Sequence, residues 1–132
     1  MKVIIMGCGR VGSGLAMTMD REGHDVTIID LNGDAFRRFL PNFNGKTLVG
    51  DGMDEDVLRQ AGIEHADAFC AVTQGDNRNI LASEIARTIF DVRKVITRMY
   101  DPVREEVFRE LGLNTFCPTP IDVKTVRGML ES

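Results

Sequence analysis

Aromatic residues are scarce in this chain of 132 residues: tryptophan is absent, tyrosine occurs once, and aromatics total 6%. No lysine and arginine cluster carries interleaved aromatics, and the net charge is −4, so no nucleic-acid partner is expected. Cysteine is equally sparse. Cys8, Cys70 and Cys117 stand far apart with no CxxC pair, which suggests neither a zinc site nor a redox pair. Cys70 and Cys117 sit in apolar runs and read as small buried hydrophobes. The two histidines, His24 and His65, fall in connecting turns near helix-ending glycines, so no metal pair is expected. No stretch approaches the roughly 20 apolar residues that span a bilayer. After Lys2 the apolar run is cut short by glycines, unlike a signal peptide. A soluble, cytoplasmic chain is the expectation these absences leave. With 43% apolar and 27% charged residues, it has the composition of one folded domain over residues 1–132.

What is present is organised around the first thirty residues. An apolar run of strand length, residues 1–6, leads into Gly7, Cys8, Gly9, Arg10, Val11 and Gly12, then into a helical pattern ending near Gly23. A second apolar run, residues 26–29, stops at Asp30. Strand, glycine loop, helix, strand, acid is the order of a dinucleotide-binding βαβ unit. Gly7 permits the tight turn out of the strand. Gly9 leaves room for a phosphate at the helix N-terminus, where free N–H groups and the dipole favour an anion. Gly12 lets helix and strand approach. The Asp30 carboxylate can accept from both ribose hydroxyls and would repel a 2′-phosphate, which disfavours NADP.

The rest of the chain repeats the alternation. Residues 32–40 read as a short helix with Phe36, Phe39 and Leu40 inward, stopped by Pro41. Residues 46–49 form a third strand, ending in Gly50, Asp51 and Gly52. Asp54 caps a helix that buries Val57, Leu58 and Ala61 and stops at Gly62. Residues 68–72 are wholly apolar, as in a central parallel strand. A helix over residues 77–90 carries Leu81, Ile85 and Ile89 four apart; in the first helix Val11, Leu15 and Met19 have the same spacing. Residues 94–100 read as the fifth strand. Asp101 and Pro102 start a helix with Val103, Val107 and Leu111 inward, and residues 115–117 form a brief sixth strand. An amphipathic segment over residues 122–130 carries Val123, Val126 and Leu130 on one side. Six such strands predict an α/β fold, a doubly wound parallel six-stranded sheet of order 3-2-1-4-5-6, with a ligand at the carboxyl ends of its strands.

Several groups stand at those ends. Arg10, a cation at a helix N-terminus, opposes the dipole and reads either as the partner of an anion, a terminal phosphate or a neighbour's ligand across a dimer interface, or as a solvated arginine on the first turn. Leu31 and Gly52 border the ends of the second and third strands. Asp51 either accepts from an adenine amine or satisfies its own turn. Thr73, Gly75, Asp76, Asn77 and Asn79 line the opposite strand end, where Asp76 or Asn77 also suits a helix cap. Arg98 is a charge in an apolar strand, paired either with nearby Asp101 or with a ligand. No general base, nucleophile or metal cluster accompanies the loop, so no catalytic residue is expected. After six strands no room remains for the substrate domain of a dehydrogenase.

The runs GCGRVG, HDVTIID, LVGDGMDEDVLRQAGIEHADAFCAVTQGDNRNI and VITRMYDP resemble the RCK N-terminal domain, also called TrkA-N or KTN, from Met1 to about Pro118. That family regulates potassium channels and transporters of the Trk and Ktr type. The resemblance implies NAD(H), ATP, ADP or AMP in the cleft, with contacts at Gly7, Gly9, Arg10, Val11, Gly12, Asp30, Asp51, Thr73 and Arg98. It implies a homo-oligomer, a dimer extending to an octameric ring, docked beneath a membrane-embedded potassium channel or transporter subunit. In Ktr-like members an arginine at the loop's fourth position reaches the terminal phosphate, and Arg10 matches it; Trk-like members more often read NAD(H). Family chains usually continue into a C-terminal ligand-binding domain, whereas this sequence stops at Ser132 and starts at Met1 on the first strand, unlike a tail fused to an exchanger. The leading expectation is a non-catalytic nucleotide sensor that gates ion flux, with residues 119–132 as an assembly helix. The runner-up is the cofactor domain of an NAD-dependent oxidoreductase. A bare interaction module with a vestigial cleft is third, against which Asp30 and the three loop glycines argue.

Overall fold

The computed structural model describes residues 1–39 and 42–132. Its six strands are β1 (Lys2–Met6), β2 (Asp25–Asp30), β3 (Lys46–Val49), β4 (Ala68–Ala71), β5 (Lys94–Arg98) and β6 (Asn114–Phe116). They pair in parallel in the order β3-β2-β1-β4-β5-β6, as the alternation of elements predicts. β1 is central: Val3 pairs in register with Val26 on one side and Ala68 on the other. A strand covered on both faces must be apolar at every position, and Val3, Ile4, Ile5 and Met6 are all buried.

The pleat then divides the core in two. Val3 and Ile5 join Val26, Ile28, Ala68 and Cys70 beneath α1 (Arg10–Arg21) and a 3-10 helix (Gly33–Phe39), which add Ala16 and Phe39. Ile4 and Met6 join Ile29, Phe69 and Ala71 beneath α2 (Glu55–Ala61) and α3 (Asp76–Glu84), which add Leu58, Ala61 and Ala82. Phe36 and Phe39 turn inward as expected, and Phe39 stacks on Phe43 with centroids 4.3 Å apart. Leu40 and Pro41 lie outside the described residues.

Two caps form as predicted. Asp54 Oδ1 accepts from Asp56 N at 2.8 Å to start α2. Asp101 Oδ1 accepts from Val103 N at 3.0 Å to start α4 (Pro102–Glu110), with Pro102 in its first turn.

The helical stripes differ from the sequence reading. In α1 the buried residues are Gly12 and Ala16, while Val11 is exposed and Leu15 and Met19 are half-buried. In α3 the inward residues are Asn79, Ile80, Ala82 and Ser83; Leu81 faces solvent. Small side chains bring this helix close to the sheet, so that Thr97 Oγ1 donates to Ser83 Oγ at 2.6 Å. A π turn follows at Ile85–Ile89, closed by Phe90 N on Ile85 O, and its wider turn carries Ile89 outward. In α4 the stripe is reversed: Val103 is 73% exposed, while Glu105 is buried and Phe108 packs inward. Glu105 is held by Thr115 Oγ1, which donates to its Oε1 at 3.1 Å, and by Arg109 at 3.3 Å. The last helix, α5, runs Pro118–Glu131, earlier than the expected start at 122, and buries none of its residues. Pro118 fits its first turn. Val72, Tyr100 and Cys117, read as strand ends, lie just past β4, β5 and β6, and Cys117 is only half-buried.

Candidate functional site

The loop after β1 is fixed by its own backbone. Gly7 sits at φ +108°, and a Cβ there would lie 2.9 Å from Thr73 N, so the turn admits no side chain. A Cβ on Gly12 would lie 1.7 Å from the Gly7 carbonyl oxygen, which shows how closely α1 approaches the turn. Gly9 is the N-cap of α1 and supplies no capping side chain, and no acid stands in the first turn. The N-terminal amides and dipole of α1 therefore face the cleft uncompensated.

Asp30 is preset by two bonds. Its Oδ2 accepts from Cys8 N at 2.8 Å and its Oδ1 accepts from Asn32 N at 2.8 Å. Each oxygen keeps a further lone pair for a hydroxyl donor. Cys8 itself is buried, with Sγ 3.3 Å from Ala35 O. It supplies a backbone amide rather than reactive sulfur. Burial pushes the other core thiol, Cys70, up to about 11, which keeps it neutral.

Two cavities meet at Asp30. The larger, about 540 Å³, is lined by the loop residues Gly7, Cys8, Gly9, Arg10 and Val11, with Val72, Thr73, Gln74, Arg98 and Tyr100 facing them. The smaller, about 130 Å³, is lined by Met6, Ile29, Leu31, Gly50, Gly52 and Arg78. Gly7, Asp30 and Thr73 belong to both. One crevice thus runs across the carboxyl ends of the strands with a carboxylate at its waist.

The β4–β5 wall rests on Asn79, which is 0% exposed. Its Oδ1 accepts from Thr73 N at 3.0 Å and Thr73 Oγ1 at 2.6 Å; its Nδ2 donates to Thr73 O at 3.0 Å and Arg98 O at 2.9 Å. The sequence placed Asn79 and Gly75 among the ligand contacts. Neither lines either of these two cavities. Asn79 positions Thr73 instead, and Gly75 N donates to Thr73 Oγ1 at 3.2 Å. Asp76 is not the cap of α3, a position held by Gly75. Its carboxylate accepts from Tyr100 N at 2.8 Å and Asp101 N at 3.1 Å. Asn77 Oδ1 accepts from Arg104 Nη2 at 2.6 Å.

Arg98 is 7% exposed and lines the larger cavity. Its guanidinium lies over the Tyr100 ring, 4.6 Å from the centroid, and Nη2 donates to Thr73 O at 3.4 Å and to Tyr100 Oη. Among the described residues no carboxylate pairs with it, and its buried Nε has no partner. The ion pair with Asp101 does not form, because that carboxylate caps α4. Arg10, across the cleft, is exposed and also lacks a carboxylate among the described residues. Asp51 combines a turn with an ion pair: Oδ1 accepts from Met53 N at 3.0 Å and from Arg78 Nη2 at 3.0 Å.

Sequence reasoning did not single out Arg78, Gln74 or Tyr100. Arg78 carried a readable signal: like Arg10, it is a cation in the first turn of a helix, against the dipole. Tyr100, the one tyrosine, carried no such signal. No group of three His, Cys, Asp or Glu able to hold a metal occurs among the described residues, and none of their helices is long and apolar enough to cross a membrane.

Comparison with known proteins follows the same outline. Over 115 residues the chain is 50% identical to the Trk system potassium uptake protein TrkA of Streptomyces coelicolor, covering 87% of this chain and 52% of that protein. It therefore spans about half the length of that relative. The AMP-bound C-terminal domain of Kef from Shewanella denitrificans superimposes with a TM-score of 0.82 at 20% identity, over 96% of this chain and 77% of that one. The GsuK channel bound to NAD gives 0.82 at 21% identity, over 98% of this chain and 23% of that one. At such identities these likenesses show the fold alone. The TrkA-N domain model matches residues 3–118, and on that match and the identity to TrkA the chain belongs to the TrkA-N domain family.

Proposed function

We propose that this chain is the nucleotide-sensing domain, over residues 1–132, of a non-catalytic regulatory protein for a potassium channel or transporter. The observation that carries the reading is the divided crevice, with a preset Asp30 between an anion-seeking cavity and a smaller pocket. The ribose hydroxyls bind Asp30. The phosphates lie on the N-terminus of α1, against Gly9, Arg10 and Val11, and the base enters the pocket beside Leu31 and Gly52. Arg98, whose side chain lines the larger cavity, reaches the far phosphate or second nucleotide. The ligand is NAD(H) or ATP, ADP or AMP; Arg10 favours a chain of phosphates. Kef carries AMP and GsuK carries NAD, and an adenosine phosphate common to the two supports an adenine nucleotide as the ligand. The larger cavity is lined by no histidine, and its one carboxylate is fixed by two amides and left to accept hydroxyls, which supports sensing over catalysis.

Gating follows from assembly. The outward stripes of α4 (Val103, Val107, Leu111) and α5 (Val123, Val126, Leu130) support a homo-oligomer, a dimer or a ring, beneath a membrane-embedded partner on the cytoplasmic face. Ligand then biases the shape of the ring and so ion flux.

Calorimetric titration with NAD, NADH, ATP, ADP and AMP tests this reading, with Asp30→Ala and Arg10→Ala alongside. Binding lost on Asp30→Ala is expected, with preference for ATP or ADP lost on Arg10→Ala. Folded protein without affinity for any of the five overturns the reading. Preference for NADH that is indifferent to Arg10 would instead favour redox sensing and reopen the oxidoreductase alternative.

A further inference from the structure

Arg78 stands where no nucleotide role has been assigned to it. It lies in the first turn of α3, on the β4 side of the smaller pocket, while Leu31 and Gly50 form the β2 and β3 side. Leu31 is exposed although apolar, so this wall offers an uncovered hydrocarbon surface. The same pocket is lined by Arg78, whose guanidinium is held in place: Nη2 donates to Asp51 Oδ1 at 3.0 Å, and the same oxygen is anchored by Met53 N at 3.0 Å. Asp51 does not line the pocket, whereas Arg78 does. A planar, weakly hydrated cation lining one pocket with an aliphatic side chain makes a slot for a flat heteroaromatic ring, since guanidinium planes stack on bases and attract their π-faces.

From this arrangement we infer that Arg78 is the base-recognising residue of the site: it stacks on a purine ring in the smaller pocket, and Asp51 acts as its positioning residue rather than as a direct acceptor for the base. The inference rests on the nucleotide reading above and assigns one subsite within it. It also explains a cation kept against the dipole of α3: its charge is balanced by Asp51 and its plane serves the ligand.

The test compares AMP, ADP and ribose 5-phosphate binding to wild type and to Arg78→Ala, Arg78→Lys and Asp51→Ala, each first shown to unfold cooperatively. Arg78→Ala is expected to weaken AMP and ADP by one common factor, roughly five- to thirtyfold for one desolvated cation–π contact. Ribose 5-phosphate, which has no base, keeps its affinity. Arg78→Lys should recover only part of the loss, because an ammonium keeps a charge over the ring but has no plane to stack. Asp51→Ala should weaken AMP in wild type but add nothing in the Arg78→Ala background. Wild-type affinity for AMP or ADP on Arg78→Ala or Arg78→Lys overturns the inference while leaving the nucleotide reading intact, and an additive Asp51→Ala effect overturns the positioning role. Absence of AMP and ADP binding in wild type overturns both.

Discussion

The two walls of the crevice are built by different means. On the β1–β2 side the chain is held mainly by its own backbone, through Gly7 N on Ile29 O, Cys8 N on Asp30 and the near contact of Gly12 with Gly7. On the β4–β5 side, buried side chains do the holding: Asn79 joins Thr73 to Arg98, and Asp76 joins the start of α3 to the exit of β5. A wall made of backbone tolerates most side-chain changes but not an added Cβ at its closest approach. A wall made of side chains fails when one amide is removed.

That contrast can be broken from either side. The largest effect belongs to Asn79→Ala, which removes four hydrogen bonds made by one fully buried side chain; a loss of about 3 kcal/mol in urea unfolding is expected. Gly12→Ala is next, at about 2 kcal/mol, because its Cβ must displace α1 from Gly7. Gly9→Ala sharpens the comparison: a Cβ there meets nothing within 4 Å, so stability should change by less than about 1 kcal/mol while nucleotide affinity falls. Thr97→Val leaves Ser83 without its donor and should cost about 1 kcal/mol, and Ser83→Ala in the same chain should recover part of it. Val107→Ser, on the outward stripe of α4, should move stability by under about 0.5 kcal/mol but lower the mass seen by light scattering if that stripe joins copies.

The same division explains what the sequence reveals. The glycine loop, Asp30, the Asp54 and Asp101 caps and the strand order are legible because each depends on near neighbours or on strict alternation. The role of Asn79 is not, since it ties Thr73 to a strand end at Arg98, 19 residues further along the chain. Its neighbour Asp76 invites a local capping reading that the fold overrides. The stripe of Val103, Val107 and Leu111 is real, but periodicity says only that one face is apolar, not whether it meets the core or another molecule. Glu105, buried through Thr115 and Arg109, reverses the helix against that expectation. The turn at Ile85–Ile89 breaks the 3.6-residue period altogether.

The Asp76 carboxylate has one more consequence. It takes the amides of Tyr100 and Asp101 together, beyond the end of β5, where no neighbouring strand protects them. Their hydrogen exchange therefore requires a single side chain to let go, rather than a segment to unfold. With the larger cavity immediately beside them at Arg98 and Tyr100, these two amides form a native isotopic clock: the pace of their exchange times how often the Asp76 carboxylate lets go, and a ligand that holds Arg98 and Tyr100 in place would slow both in step.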